Sequence, residues 1–300
     1  MHATNAAKGA GLALAAAIMF GISDAVAGGV FDRVSPGRVS QVRSLTAVVV
    51  LVPFAVKMGV LRPTNWRTST WKLAILGANL AGVMWVFYVA IDLLGVGPAA
   101  TIHFLGPILV LIWFAVVRKT PVRPLVWVAA IASVVGVGFV TEAWNLEASD
   151  LPGLGVGLLA AVLFASYLLV GEHVSGEFDP VHVAVWGFGF ASVIWLIALP
   201  IWTFPTDIGA AGWRDLAIIG VVGTAVPFLA EFKALRLLAS SVVGVIATAE
   251  PVVAAVIAVF LLDQQLSGAQ WFGVAIVVIA VAVVQRWGLP EGHDAPPVVS

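Results

Sequence analysis

SSVVGVIATAEPVVAAVIAVFLL, from Ser240 to Leu262, is a nearly unbroken apolar run with an acid and a proline, Glu250 and Pro251, side by side near its middle. A hydrocarbon core of about 30 Å needs roughly 20 helical residues, so this stretch is long enough to cross a bilayer. An acid at mid-span costs about 2.5 to 3.5 kcal/mol on insertion scales, so a carboxyl kept there is paired, protonated or turned toward a cavity. Pro251 has no N–H for the carbonyl four residues earlier, at Ala247, which must find another donor. One helix therefore carries an acid and a weak point at the same depth.

The rest of the chain has the same character. Of its 300 residues 61% are apolar and 10% charged, and the mean hydropathy is +1.06, far from the composition of a soluble domain. The expected fold class is an all-α integral membrane protein. A net charge of −1 gives no electrostatic basis for binding nucleic acid, and the absence of cysteine excludes disulfides and thiol chemistry. The apolar run after Lys8 continues to Val30, too long for a secretory leader. Windows bounded by charges, prolines and tryptophans predict ten helices, at 9–30, 41–60, 72–93, 97–117, 123–141, 152–173, 181–202, 213–235, 240–262 and 268–286. Eight tryptophans, Trp66, Trp71, Trp127, Trp144, Trp202, Trp213, Trp271 and Trp287, fall at predicted helix ends, where an amphipathic ring suits the headgroup region.

The ten helices are a duplication. A constant shift of 144 residues places Gly9, Gly11 and Phe20 on Gly153, Gly155 and Phe164, Pro36 on Pro180, Leu93 and Leu94 on Leu237 and Leu238, Pro107 on Pro251, and Trp127 on Trp271. Five helices per copy is odd, so the second copy enters the membrane from the opposite face and the repeats are inverted. The expected division is 1–145 and 146–287, followed by a polar, proline-rich tail at 288–300 expected to be disordered and cytoplasmic. Inverted repeats characterise alternating-access carriers, because a two-fold axis in the membrane plane lets one structural change open either face. Eleven Lys and Arg on the side of the N-terminus against Arg33, Arg38, Arg43 and Arg214 on the other place both termini in the cytoplasm. The acid-rich loop around Glu142, Glu147 and Asp150 then faces outward.

Two predicted helices, the fourth and the ninth, carry a mid-membrane proline, Pro107 and Pro251, with His103 one turn before the first and Glu250 directly before the second. Breaks at corresponding positions of two halves point to a binding site. His103 and Glu250 are both candidates to bind solute or carry a coupled proton, and His103 equally suits an interhelical hydrogen bond. Asp24 in the first helix and Glu231 in the eighth lie nearer predicted ends, where Glu231 has Lys233 and Arg236 for surface partners. Trp85, Tyr88, Trp186, Trp195 and Phe228 are aromatic positions within spans that would suit the wall of a cavity for an organic solute, and Asn79 is a polar group within the third. No phosphate loop, serine elbow or helical His and acid pair at metal spacing is present; Glu172, His173 and His182 suit surface solvation better than a metal. The chain is thus expected to be no enzyme and to need no cofactor or metal, with any active transport driven by a gradient.

AEPVVAAVIAVFLLDQQLS, at the ninth helix, resembles the corresponding helix of the bacterial ten-helix EamA-type exporters of the drug/metabolite transporter superfamily, a likeness extending over roughly residues 8 to 287. FLGPILV at 104–110, preceded by YVAI at 88–91, and PFLAEFKAL at 227–235 narrow the likeness to exporters of threonine and homoserine. Glu231 and Glu250 match acids of that pattern, whereas His103 stands where it has an acid at or beside the position. The resemblance implies a monomeric or homodimeric exporter of amino acids or related small metabolites in the bacterial inner membrane. A central cavity would lie between helices one, three, four, six, eight and nine. Exporters of aromatic amino acids or cationic drugs are the alternative, favoured by the internal tryptophans. An intramembrane enzyme, a lipid-handling protein and a scaffold are readings from other classes with no motif behind them.

Overall fold

The computed structural model describes residues 2–27, 30, 33–61, 70–144, 151–262 and 265–288. Trp66, Arg62, Arg67, Glu147, Asp150, the predicted repeat boundary at 145–146 and the tail from residue 289 lie outside them. The described chain forms helices α1 (His2–Ala27), α2 (Pro36–Lys57), α3 (Trp71–Leu94), α4 (Val96–His103), α5 (Gly106–Val116), α6 (Pro124–Val140), α7 (Leu151–Glu177), α8 (Pro180–Ala198), α9 (Gly209–Gly220), α10 (Val226–Leu237), α11 (Ser240–Ala247), α12 (Ala249–Leu262) and α13 (Gly268–Val283). They make ten spans, because α4 with α5, α9 with α10, and α11 with α12 are each one interrupted crossing. Nine spans are long and apolar enough to cross a membrane, and α6 is a shorter apolar helix.

Each interruption has a covalent cause. The fourth span breaks at Phe104 and Leu105, three and two residues before Pro107, and the ninth at Thr248, three residues before Pro251. A proline ring removes one backbone donor and crowds the carbonyl four residues back. At Thr248 the hydroxyl turns onto the Val245 carbonyl at 2.6 Å, giving it a local partner. The eighth span passes through a π-helical segment, Val221–Ala225, directly before Pro227.

The second helix starts earlier than the hydropathy window suggests, at Pro36 rather than residue 41. Proline suits the first helical turn, where its missing N–H would have been unpaired anyway. Arg38 is therefore helical rather than a loop charge, and both Arg38 and Arg43 are buried. Arg38 Nη1 donates to Gln41 Oε1 at 2.8 Å and to the carbonyls of Leu199 and Pro200, both at 3.2 Å, past the end of α8. The residue 144 positions later is His182. Its Nδ1 lies 2.6 Å from the Val60 carbonyl, past the end of α2. Repeat-equivalent side chains thus staple α2 to α8 at both ends.

The two halves interdigitate instead of standing side by side. Helix α1 packs against α10 and α12 of the second half, and α7 packs against α3, α4 and α5 of the first. Glycines set these approaches. A Cβ on Gly9 would come within 3.0 Å of Leu237 and Leu238, and one on Gly153 within 2.7 Å of Leu94. The pairs exchange under the repeat. Helices α6 and α13 pack against each other through Gly136 and Gly273.

The contact of Gly273 with backbone atoms predicts a mutational effect. A Cβ on Gly273 would meet the Gly136 carbonyl and the Val140 nitrogen at 2.6 Å, backbone atoms that cannot rotate away. Gly273→Ala should destabilise the protein by about 1–3 kcal/mol. Gly155→Ala, where nothing lies within 4 Å, should be neutral. Melting temperatures of the two purified variants decide the point, and equal melting would show that the α6–α13 contact is not close-packed.

Candidate functional site

Where the two halves meet, seven spans converge on one cavity. Phe20 and Asp24 come from α1, Arg43 from α2, and Val83, Met84, Phe87 and Tyr88 from α3. Opposite them stand His103 of α4, Phe164 and Tyr167 of α7, Phe228 and Glu231 of α10, and Ala247 and Glu250 at the break between α11 and α12. Four pairs of lining residues, Phe20 with Phe164, Met84 with Phe228, Phe87 with Glu231 and His103 with Ala247, are separated by the 144-residue repeat shift. The cavity therefore lies on the pseudo-two-fold axis.

Arg43 organises one wall. Its Nη1 donates to Tyr88 Oη at 2.5 Å, its Nε to Thr224 Oγ1 at 2.8 Å and its Nη2 to the Gly223 carbonyl at 2.7 Å. Helix α10 makes that carbonyl available, because in an α-helix it would bond the nitrogen four residues on, and that residue is Pro227. The π segment continues the helix past this gap, as such bulges commonly do at functional sites. Glycine is required at 223, since a Cβ there would sit 1.9 Å from Ser23 Oγ.

Three carboxyls share the cavity with this guanidinium. Asp24 and Glu250 lie within hydrogen-bonding reach of each other, and both feel the charge of Arg43. Two carboxyls so placed form a hydrogen bond only when they hold a proton between them. Glu231 is buried, and its Oε2 accepts from Tyr167 Oη at 2.8 Å, so its partner is a phenol inside the bundle rather than Lys233 or Arg236 at its end. His103 lies between Phe87 and Phe164, each with its ring centroid 4.4 Å away. Its Nδ1 has no hydrogen-bond partner among the described residues. Phe228 sits at the centre of an aromatic cluster, 4.9 Å from Phe20, 5.0 Å from Phe188 and 5.8 Å from Tyr167.

Of the residues singled out from the sequence, Asp24, Tyr88, His103, Phe228, Glu231 and Glu250 meet in this cavity. Trp85, Asn79 and Trp186 do not line it. Trp85 is 54% exposed on the outer side of α3. Asn79 Nδ2 donates to Ser166 Oγ at 2.8 Å and joins α3 to α7. Trp186 packs between His182 and Phe190. Pro107 is buried and faces Gly244, where a Cβ would lie 3.2 Å from its ring, so the two interrupted spans touch beside the site. Sequence reasoning missed Arg43 and Tyr167. Arg43 was counted among the charges of the outer face, at the third residue of a helix predicted from 41, although Pro36 at a helix start was the available sign that it lay deeper inside.

Comparison with known proteins bears on this arrangement. The model of the EamA-like transporter family matches residues 7–142 and again 151–286. The chain belongs to the EamA-like transporter family. That EamA-like match is to transporters rather than enzymes, and it falls twice on this one chain. Similar proteins include the threonine/homoserine exporter of Salmonella typhimurium, 26% identical over 83% of this chain and 82% of its own length. The riboflavin transporter of Vibrio cholerae is 24% identical over 83% and 82%, and an uncharacterised inner membrane transporter of Salmonella typhimurium 24% over 75% and 77%. A solved crystal structure shares the EamA-like fold seen here, with a TM-score of 0.78 at 18% identity over 92% of this chain and 96% of its own.

Arg43 carries a structural prediction. Arg43→Gln leaves Asp24 and Glu250 beside each other without their cation, and losing one member of a buried charge set costs about 3–5 kcal/mol. Arg43→Lys should rescue little, because one ammonium cannot reproduce a fork directed at three acceptors. Melting of the two variants in detergent tests this: a Lys variant as stable as the parent would show that charge alone, without the fork, suffices.

Proposed function

We propose that this protein exports amino acids or closely related small metabolites by alternating access, with the central cavity as its solute site. The observation that carries the proposal is the juxtaposition of one guanidinium with an acid pair at the repeat interface. Arg43 offers a partner for a carboxylate, and Asp24 with Glu250 offers one for an ammonium group, the two charges of a zwitterion. The acid pair is also the better candidate for a coupled proton than His103, whose ring is held between two phenyl faces. Glu231 and Tyr167 form the neighbouring polar edge, with Tyr88 fixing the guanidinium.

Size favours a small cargo. The cavity measures about 80 Å³, well below the roughly 300–1,000 Å³ of sites for drug-sized ligands. Movement of α4 against α5 and of α11 against α12 about their breaks would open it to either face. The similarity to an exporter of threonine and homoserine supports the amino acid reading. A second reading, an aromatic amino acid as cargo, is favoured by the wall of Phe20, Phe87, Phe164 and Phe228. One chain holds both halves of the site, so a monomer suffices and a homodimer is not required. We further propose residues 1–145 and 146–287 as the two functional halves, with both termini in the cytoplasm of a bacterium. With Arg38 and Arg43 buried, Arg33 and Arg214 are the Lys and Arg left exposed on the opposite face.

Counterflow in proteoliposomes tests the proposal, with unlabelled threonine, homoserine or phenylalanine inside and the same labelled compound outside. Accumulation of one of them is expected, and a response to an imposed pH gradient would assign proton coupling. Glu250→Gln should lower the initial rate roughly 10- to 100-fold, the loss expected for a charge-assisted hydrogen bond of about 1.5–3 kcal/mol. Glu231→Gln, which keeps an acceptor for Tyr167, should lose less. Exchange of none of the compounds by folded protein would defeat the amino acid reading, and normal transport by Glu250→Gln would remove the acid from the mechanism.

A further inference from the structure

Away from the central cavity, α3, α5 and α7 enclose a second concavity of about 320 Å³ on the outside of the bundle. Its rim carries Trp71 and Trp113, both nearly half exposed. Its floor is apolar, formed by Ile75 of α3 and Leu169 and Val170 of α7. Three nitrogen bases complete the wall: Lys72 at the start of α3, Arg118 just past α5 and His173 near the end of α7. None of the described residues that line it is a carboxyl.

The acids nearest to these bases use only part of their capacity. Lys72 pairs with Glu177, and His173 Nε2 lies 3.1 Å from the same carboxylate. Arg118 Nη1 donates to Glu172 Oε1 at 3.0 Å while its guanidinium lies 4.7 Å from the Phe114 ring centre. An ammonium has three donors and a guanidinium five, so most of both donor sets stays free. The repeat supplies an internal control. The positions equivalent to Trp71, Lys72, Trp113 and Arg118 are Asp215, Leu216, Ile257 and Leu262. The repeat register does not require cations or indoles at these four positions, although Trp213 and Arg214 stand two residues before the equivalents of Trp71 and Lys72.

We propose that this groove binds an anionic phospholipid. The phosphodiester oxygens accept from Lys72 and Arg118 beside His173, the indoles of Trp71 and Trp113 stand at headgroup level, and an acyl chain lies along Ile75, Leu169 and Val170. Basic pockets between helices near a membrane surface recognise such headgroups in general, and the apolar floor selects a lipid over a free phosphate. Occupancy also bears on the bundle. Arg118 holds Glu172, whose Oε2 accepts from the Ser240 nitrogen at 2.8 Å, at the first residue of α11.

The test uses the full chain, delipidated in neutral detergent, with melting temperature read during titration with phosphatidylglycerol, phosphatidylcholine or inorganic phosphate. Two cations at about 1 kcal/mol each predict that phosphatidylglycerol stabilises at roughly 30-fold lower concentration than phosphatidylcholine. The double variant Lys72→Gln/His173→Gln should reduce that preference to a few-fold; Glu177 is partly exposed, so their loss strands no buried charge. Arg214→Gln, at a surface arginine away from the groove, should leave the preference intact. Equal response to the two lipids, a preference retained in the double variant, a preference lost equally in Arg214→Gln, or equal stabilisation by inorganic phosphate would each overturn the proposal.

Discussion

A guanidinium kept inside the membrane at Arg43 constrains everything around it. Removing such an ion from water costs several kcal/mol even after relaxation, and only excellent geometry with further hydrogen bonds offsets that cost. The chain meets the requirement with a phenol from α3, a hydroxyl from the π segment and a backbone carbonyl that Pro227 leaves without its usual donor. Three spans are thereby fixed relative to one another at the depth of the cavity. Asp24 and Glu250 stand opposite as the negative side of the same arrangement, so the position of the ninth-span break is tied to that of the second helix.

The frame is symmetric, but the chemistry is not. Under the repeat shift part of the apolar lining maps onto itself, Phe20 on Phe164 and Met84 on Phe228. The charged lining does not: Asp24 maps on Leu168, Arg43 on Gly187, Glu231 on Phe87 and Glu250 on Gly106. The glycine contacts and the Arg38 and His182 staples belong to the symmetric part. Duplication therefore supplies two equivalent ways of packing the same helices, and later divergence supplies a site with one positive and one negative end. In the proposed cycle, a solute bound there would keep a single orientation whichever face is open.

The spans, the duplication and the two prolines were legible in the sequence because hydropathy, helix-breaking chemistry and a constant register are properties of the chain itself. Four of the cavity residues, Asp24, His103, Glu231 and Glu250, were legible for a related reason, since an acid or histidine within a span has few places to go, and Tyr88 and Phe228 were legible as aromatic positions inside spans. Arg43 was hidden by a boundary error of five residues, which placed a buried ion in the first turn of its helix, at the membrane surface. Tyr167 was hidden because a tyrosine in an apolar helix costs little and announces nothing. Trp85 and Trp186 show the converse failure. In a soluble helix periodicity tells inside from outside, but here lipid and core are both apolar, and the face a tryptophan takes is set by packing partners that sequence does not reveal.

The two breaks matter because of what holds the segments on one side of them. Pro107 at the start of α5 meets Gly244 of α11, and Leu168 of α7 closes on the same glycine. Glu172 of α7 then ties both: one oxygen accepts from Arg118 beyond α5, the other from the Ser240 nitrogen at the start of α11. Glu172 is buried while its partner arginine is partly exposed, so swinging α5 or α11 away leaves the carboxylate to find water or another donor. In the proposed alternating-access cycle, opening on that side would hydrate Glu172 as it separates the helices. The apolar contacts at Gly244 set the fit of this arrangement, and in the proposed alternating-access cycle the hydration of this one carboxylate would govern how readily it is left.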